Sequence, residues 1–298
     1  MTYMNHFWRN TMKIKKAIFA FTTLTIFFTF GLALLFELLE MDMLSPFLML
    51  IPLLTSLLIQ KLMLKQPIFG PNGLGFQFGK KRYLFLGPVF SFLFIVIVYG
   101  ISYVFNPYLF SIEQAYISIQ DMATFNENSS LLTNILIAGA IQLLLAPLLN
   151  ILIFIGEEVG WRSFLYPYLV SVYGKKGLIF GGLIWGVWHT PMIYLYDLNF
   201  GQHHHLGLIF MIIFCVLAGI ILQFVYYKSH SIFSVALMHG MLNITGAFIF
   251  AFSVKSEYRY FVDGATGLVG LTILFIIAYI CYQRFRVQQD SPSIYTKP

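Results

Sequence analysis

Apolar residues run along this chain in blocks of roughly 20 with almost no charge, the length an α-helix needs to cross the hydrocarbon core of a bilayer. Eight blocks stand out, near 17–36, 44–64, 84–105, 135–158, 177–196, 206–227, 232–252 and 264–283. The pattern predicts an all-α polytopic membrane protein of about eight spans. The stretch "RNTMKIKKAIFAFTTLTIFF" has the basic start of a signal peptide. Its apolar part is too long, and no small-x-small cleavage site follows before Glu37, so it reads as a retained first helix. The fourth block is unusual. Apolar sequence continues from Leu131 to Val172, about twice what one crossing needs. Pro147 offers a kink, because it cannot donate a backbone hydrogen bond. This span is expected to be shifted toward the cytoplasm and to end near Pro167.

Composition agrees with the blocks. The 298 residues are 59% hydrophobic and 10% charged, where a soluble domain carries about a quarter charged residues. Mean hydropathy is +0.79. Charge placement then sets the orientation. With the N-terminus cytoplasmic and the spans alternating, sixteen of the eighteen Lys and Arg residues fall on the cytoplasmic side, and only Lys255 and Arg259 fall outside. The positive-inside rule therefore puts both termini in the cytoplasm. Nine of the twelve acids fall on the outer side, and Glu157 and Glu158 are two of the three exceptions. The net charge of +6 is a topology signal and calls for no nucleic-acid partner. Cys215 and Cys281 both lie within blocks, in no ligand-like spacing, and read as buried apolar residues. With no internal repeat and short loops, residues 1–298 read as a single membrane domain, with a motif-bearing core at about 131–252.

Ionisable residues inside membrane spans are rare and face the bundle interior or a cavity. Three short motifs hold those of this chain. In "FIGEEVGWRSFLYPYL", Glu158 and Arg162 are spaced i,i+4 and can pair on one helix face. Glu157 is rotated about 100° away, without that partner, and a desolvated unpaired carboxylate suits a general base. Solvated glutamates at a helix end are the bland alternative. In "FGGLIWGVWHTP", Gly182 and Gly186 form a small-xxx-small ridge that lets a neighbouring helix approach. His189 lies on the same face, roughly 18 Å in from Gly177. In "SVALMHGMLNITG", His239 and Asn243 share a face, with His239 roughly 11 Å in from Ile232. Two imidazoles and a carboxylate are a frequent catalytic zinc ligand set, and a nearby Asn can hold a ligand or donate to an oxyanion. Hydrogen-bonded core histidines and an interhelical clamp are the alternatives. No HExxH pair is present, which sets the chain apart from ordinary zincins. The run "GQHHHLG", with His203, His204 and His205, falls in an outer loop and reads as solvated.

EExxxR (Glu157, Glu158, Arg162), an aromatic-xxx-His (Trp185, His189) and HxxxN (His239, Asn243), in that order, resemble the CAAX-protease and bacteriocin-processing family, also called the Abi family, of integral-membrane endopeptidases. The resemblance covers residues 157–243. It implies that Glu157 activates water, that His189 and His239 bind a metal such as Zn²⁺ or act directly on that water, and that Asn243 helps form an oxyanion site. Glu158, Arg162 and Trp185 take supporting places; the family commonly has Phe where Trp185 stands. The implied activity is hydrolysis of membrane-associated peptides or proteins, at a site toward the cytoplasmic side of what reads as a bacterial plasma membrane. Two other readings remain open at this point: a catalytically idle regulator of the same fold, and a transporter. The absence of an internal repeat argues against the last.

Overall fold

The computed structural model describes residues 2–70, 73–254 and 257–287, so Lys255 lies outside the described residues. Thirteen α-helices follow one another: α1 (Thr2–Leu38), α2 (Ile51–Ile59), α3 (Arg82–Phe105), α4 (Ile112–Gln120), α5 (Leu131–Ala140), α6 (Ala146–Leu149), α7 (Ile151–Glu158), α8 (Tyr166–Tyr173), α9 (Lys176–Trp188), α10 (Thr190–Tyr196), α11 (His204–Ser229), α12 (Ile232–Ala251) and α13 (Leu268–Arg284). Wider π-helical turns join some of them, at Gln60–Leu64, Ile141–Leu145 and Val159–Leu165. The only β pairing among the described residues is one isolated bridge, Phe110 to Ser253. The all-α reading holds.

Seven helical stretches among the described residues are long and apolar enough to cross a membrane, from Thr11–Leu38 to Ile232–Ala251. Six of them match their blocks closely, while the fourth, Leu131–Leu149, stops short of the expected 158 and leaves Glu157 on a separate helix. The eighth, Leu268–Arg284, is apolar but has 17 residues, just short of a full crossing at 1.5 Å per residue.

The loops gather at two ends. At one, Lys13 Nζ donates to Leu64 O (2.9 Å), Lys80 N to Ser229 O (2.8 Å) and Lys175 Nζ to Tyr282 O (3.0 Å). At the other, Ser118 Oγ donates to Ala251 O (2.6 Å), Val254 N to Leu109 O (2.8 Å), and His203 packs on Phe261. Loops that alternation assigns to one side thus meet on one side. The first may be called the basic end, and the second the loop-roofed end.

The segment 131–173 departs from its expected shape. The chain breaks at Asn150 (φ −94°, ψ 9°), three residues after Pro147. Helix then continues past Pro167 to Tyr173, where Gly174 (φ 59°) stops it. The expected end near Pro167 is therefore wrong, for a local reason. Pro167 has no N–H for the helical bond to Ser163, and the π turns just before it already widen the helix, with Tyr166 N reaching Trp161 O. A π-bulge of this kind relieves a helix without ending it. It also brings Gly160 against α2, where a Cβ would stand 2.7 Å from the Pro52 carbonyl carbon.

The small-residue ridge on α9 does what its spacing predicts. A Cβ on Gly182 would meet Val216 Cα at 2.4 Å, and one on Gly186 would meet Ile212 Cα at 2.6 Å. Helices α9 and α11 are therefore in backbone contact, which fixes the depth of His189 at the end of α9. Helix α12 is started by Ser231, whose side chain accepts from Ser234 N at 3.1 Å, the usual N-cap device.

Candidate active site

Glu157, Glu158 and Arg162 are all buried, the latter two completely. Glu158 and Arg162 form the i,i+4 pair their spacing predicts, with Nε to Oε2 at 2.9 Å. The guanidinium also lies over the rings of Trp185 (4.3 Å) and Tyr166 (4.8 Å). Cation–π contact on two faces and a carboxylate at the edge make a buried charge tolerable.

Glu158 does more than pair with arginine. Its Oε1 is 2.8 Å from His239 Nδ1, so this nitrogen is the donor and carries the proton. His239 Nε2 is then an acceptor, and Asn243 Nδ2 donates to it at 3.2 Å. His189 is set in the same way by a different group: its Nδ1 bonds Trp185 O at 2.9 Å, leaving Nε2 unprotonated. Each imidazole is thus fixed in tautomer and orientation by a partner behind it. Cys215, buried as expected, sits with Sγ 3.6 Å from His189 Nδ1.

Glu157 is held differently. Oε1 accepts from two indoles, Trp161 Nε1 at 3.2 Å and Trp185 Nε1. Among the described residues no hydrogen bond reaches Oε2, so one oxygen is clamped and the other is available. Trp185 then links the three motifs. Its indole bonds Glu157, its carbonyl accepts from His189, its ring covers Arg162, and its ring centroid is 5.6 Å from that of His239 at 87°. Trp161 is one helical turn from Glu157, on the same face; that i,i+4 spacing was a legible signal. The Glu158–His239 bond crosses between helices 81 residues apart in sequence and had no local signal.

A cavity of about 390 Å³ is lined by Trp185, His189, His239 and Asn243. It extends along α12 past Gly246 and Phe250 to Arg259 and Asp263, at the loop-roofed end. All seven residues singled out by the motifs therefore stand in one connected cluster, four of them on the cavity wall.

The donor set suits a metal poorly. Among the described residues no group of three His, Cys, Asp or Glu side chains is placed to hold an ion. Both oxygens of Glu158 are engaged by Arg162 and His239, and Oε1 of Glu157 by the indoles. The histidines of the GQHHHLG run diverge as well. His204 pairs with Asp197 (2.6 Å), His205 bonds Tyr194 (2.7 Å), and His203 meets Phe261 edge to face.

Comparison with known proteins matches the same stretch. Residues 139–245 fit the family model described as type II CAAX prenyl endopeptidase Rce1-like. A CAAX prenyl protease 2 of Methanococcus maripaludis is 28% identical over 125 residues, which cover 40% of this chain and 44% of that protein. The chain thus spans less than half the length of this relative. The matched stretch carries Glu157, Glu158, Arg162, Trp185, His189, His239 and Asn243, and in this part the chain is similar to the Rce1-like CAAX endopeptidases.

Proposed function

We propose that the protein is an intramembrane endopeptidase that hydrolyses a peptide bond of a membrane-associated peptide or protein. The observation that carries this reading is the clamping of Glu157. A buried carboxylate with one oxygen fixed by two indoles, and the other without a partner, beside two imidazoles of defined tautomer, is arranged for acid–base work. The peptide carbonyl enters the cavity beside Asn243, with a water between it and Glu157. Glu157 Oε2 takes a proton from the water as its oxygen attacks the carbonyl carbon. His189 offers Nε2 as the acceptor for the water's other hydrogen, while His239 Nε2 holds the Asn243 amide until the carbonyl arrives. Asn243 Nδ2, freed from His239 by small rotation, donates to the developing oxyanion. Collapse breaks the C–N bond, and Glu157 returns its proton to the leaving amine.

No step passes through a metal, since among the described residues no three His, Cys, Asp or Glu side chains come together to hold one. The zinc site implied by the family resemblance is replaced in this proposal by a glutamate mechanism, with the imidazoles as hydrogen-bonding groups. By the positive-inside rule the basic end faces the cytoplasm. Glu157 and both histidines then lie within the span of a bacterial plasma membrane, in contact with lipid and with a peptide substrate, and the cavity beside them runs toward the opposite, loop-roofed end.

Membranes carrying the wild-type protein or Glu157→Gln should be compared by mass spectrometry of peptide termini. The reading expects at least one new terminus that depends on Glu157. Identical terminus profiles would favour the idle regulator.

A further inference from the structure

The stretch that leads into α3 at the basic end is unlike an ordinary solvated loop. Residues 76–82 read FQFGKKR, three cations in a row behind two phenylalanines, and the sequence holds no acid between Asp42 and Glu113. Lys80, Lys81 and Arg82 are exposed, and Phe78 keeps 61% of its surface open. The ion pairs among the described residues are Arg162–Glu158, His204–Asp197 and His239–Glu158, so none of these cations has a carboxylate. Lys228 stands beside them in the last turn of α11, and neither α11 nor α12 carries an acid. Burial, and after it the charge of Lys80, push the His230 imidazole below its ordinary value, as a positive field does.

These cations stand on a fixed backbone. Phe78 stacks on Phe233 at the start of α12, with 4.5 Å between ring centroids and 12° between planes. Gly79 (φ 55°) lies so close to the end of α11 that a Cβ would run into the Ser229 and His230 carbonyl oxygens. Lys80 N donates to Ser229 O at 2.8 Å. Side chains presented from a backbone tied to two spans lose less freedom when a ligand binds. Their depth is set by α3. Phe85 and Leu86, three and four residues past Arg82, have 70% and 50% of their surface exposed, and on a membrane-crossing helix such faces meet acyl chains. The hydrocarbon therefore begins within about 6 Å of Arg82 along the axis, which puts the cations at the level of lipid headgroups.

We propose that Phe78, Lys80, Lys81 and Arg82, with Lys228 beside them, form a seat for an anionic phospholipid. The phosphate lies on the cations and an acyl chain lies against the open side of the Phe78 ring. A soluble acidic partner would have to displace lipid to reach this depth, and a free phosphate has no chain to cover Phe78. The seat is separate from the catalytic cluster, so its test stands apart from the endopeptidase reading.

Full-length protein in detergent is titrated with phosphatidylglycerol and with phosphatidylcholine of the same acyl chains, and bound lipids are counted by native mass spectrometry. Each cation near an anionic surface contributes about fivefold in affinity. Wild type should therefore bind its first phosphatidylglycerol at least about tenfold more tightly than its first phosphatidylcholine. The ratio should fall to near one in Lys80→Gln/Lys81→Gln/Arg82→Gln, and Arg82→Gln alone should lower it about fivefold should the triple variant not fold. Lys15→Gln/Lys16→Gln, which removes cations from α1 at the same end, should leave the ratio unchanged. Equal binding of the two lipids by wild type overturns the proposal, as does a preference that survives in the folded variants. An equal loss in the α1 variant would mean a diffuse surface charge and overturns it too. Glycerol phosphate, the headgroup without its chains, should not displace the bound lipid; displacement at equal concentration would assign the cations to a small anion and also sink the proposal.

Discussion

Replacing Glu158 by Gln tests the division of labour between the two adjacent glutamates. Its two oxygens serve two cationic or donor partners, Arg162 Nε at 2.9 Å and His239 Nδ1 at 2.8 Å. An amide has one acceptor oxygen, so a Gln must turn its NH₂ toward either Arg162 or His239, donor against donor. Arg162 is fully buried and would keep its charge with only the Trp185 and Tyr166 rings as partners. Removing one member of a buried ion pair costs about 3–5 kcal/mol. At about 2–4 °C per kcal/mol for a chain of this order of size, the melting temperature should fall on the order of 10 °C. The measurement is thermal unfolding in detergent, followed by circular dichroism, alongside a cleavage assay. The double variant Glu158→Gln/Arg162→Met should recover most of the loss, because the amide oxygen then serves His239 alone and no unpaired cation is buried. A single variant that melts with wild type, or a double variant no more stable than the single, would refute the reasoning.

Four further outcomes are expected. Glu157→Gln keeps an acceptor for both indoles, so it should melt near wild type while cleavage falls about 10²–10⁴-fold; retained cleavage removes Glu157 from the chemistry. Trp185→Phe keeps the ring over Arg162 but removes one of the donors on Glu157, and kcat should drop about tenfold or more, measured with Trp161→Phe for comparison. Gly182→Ala forces a Cβ onto the backbone of α11 and should lower the melting temperature and yield; unaltered stability would contradict the close approach. Cleavage should survive exhaustive chelation, checked by elemental analysis, and activity lost to the chelator and restored by Zn²⁺ would reinstate a metal.

The apolar blocks and the helical spacing made much of this legible. Seven spans follow from uncharged runs, because the bilayer leaves little choice of element. The Glu158–Arg162 pair and the Gly182–Gly186 contact follow from periodicity within one helix. What stayed hidden depends on tertiary approach or on a local bulge. The bond from Glu158 to His239 needs α7 and α12 side by side, and nothing in either motif encodes it. The continuation past Pro167 was hidden because π turns carry no strong sequence signature. Arg259 lies outside every motif, and its burial could not be read from a loop that mixes charged residues with Tyr258, Tyr260 and Phe261 in no regular pattern.

Three of the four tryptophans, Trp161, Trp185 and Trp188, are packed within the candidate active-site cluster. Their ultraviolet emission is accordingly a local gauge rather than a measure of the whole molecule. Two of these indoles donate to a carboxylate, so a change in its charge or position alters the field across both rings. Ligand entry, acidification or the loss of Glu157 should each leave a separate spectral shift without any introduced label, and the protein carries its own optical reporter at the place where the reaction is expected to occur.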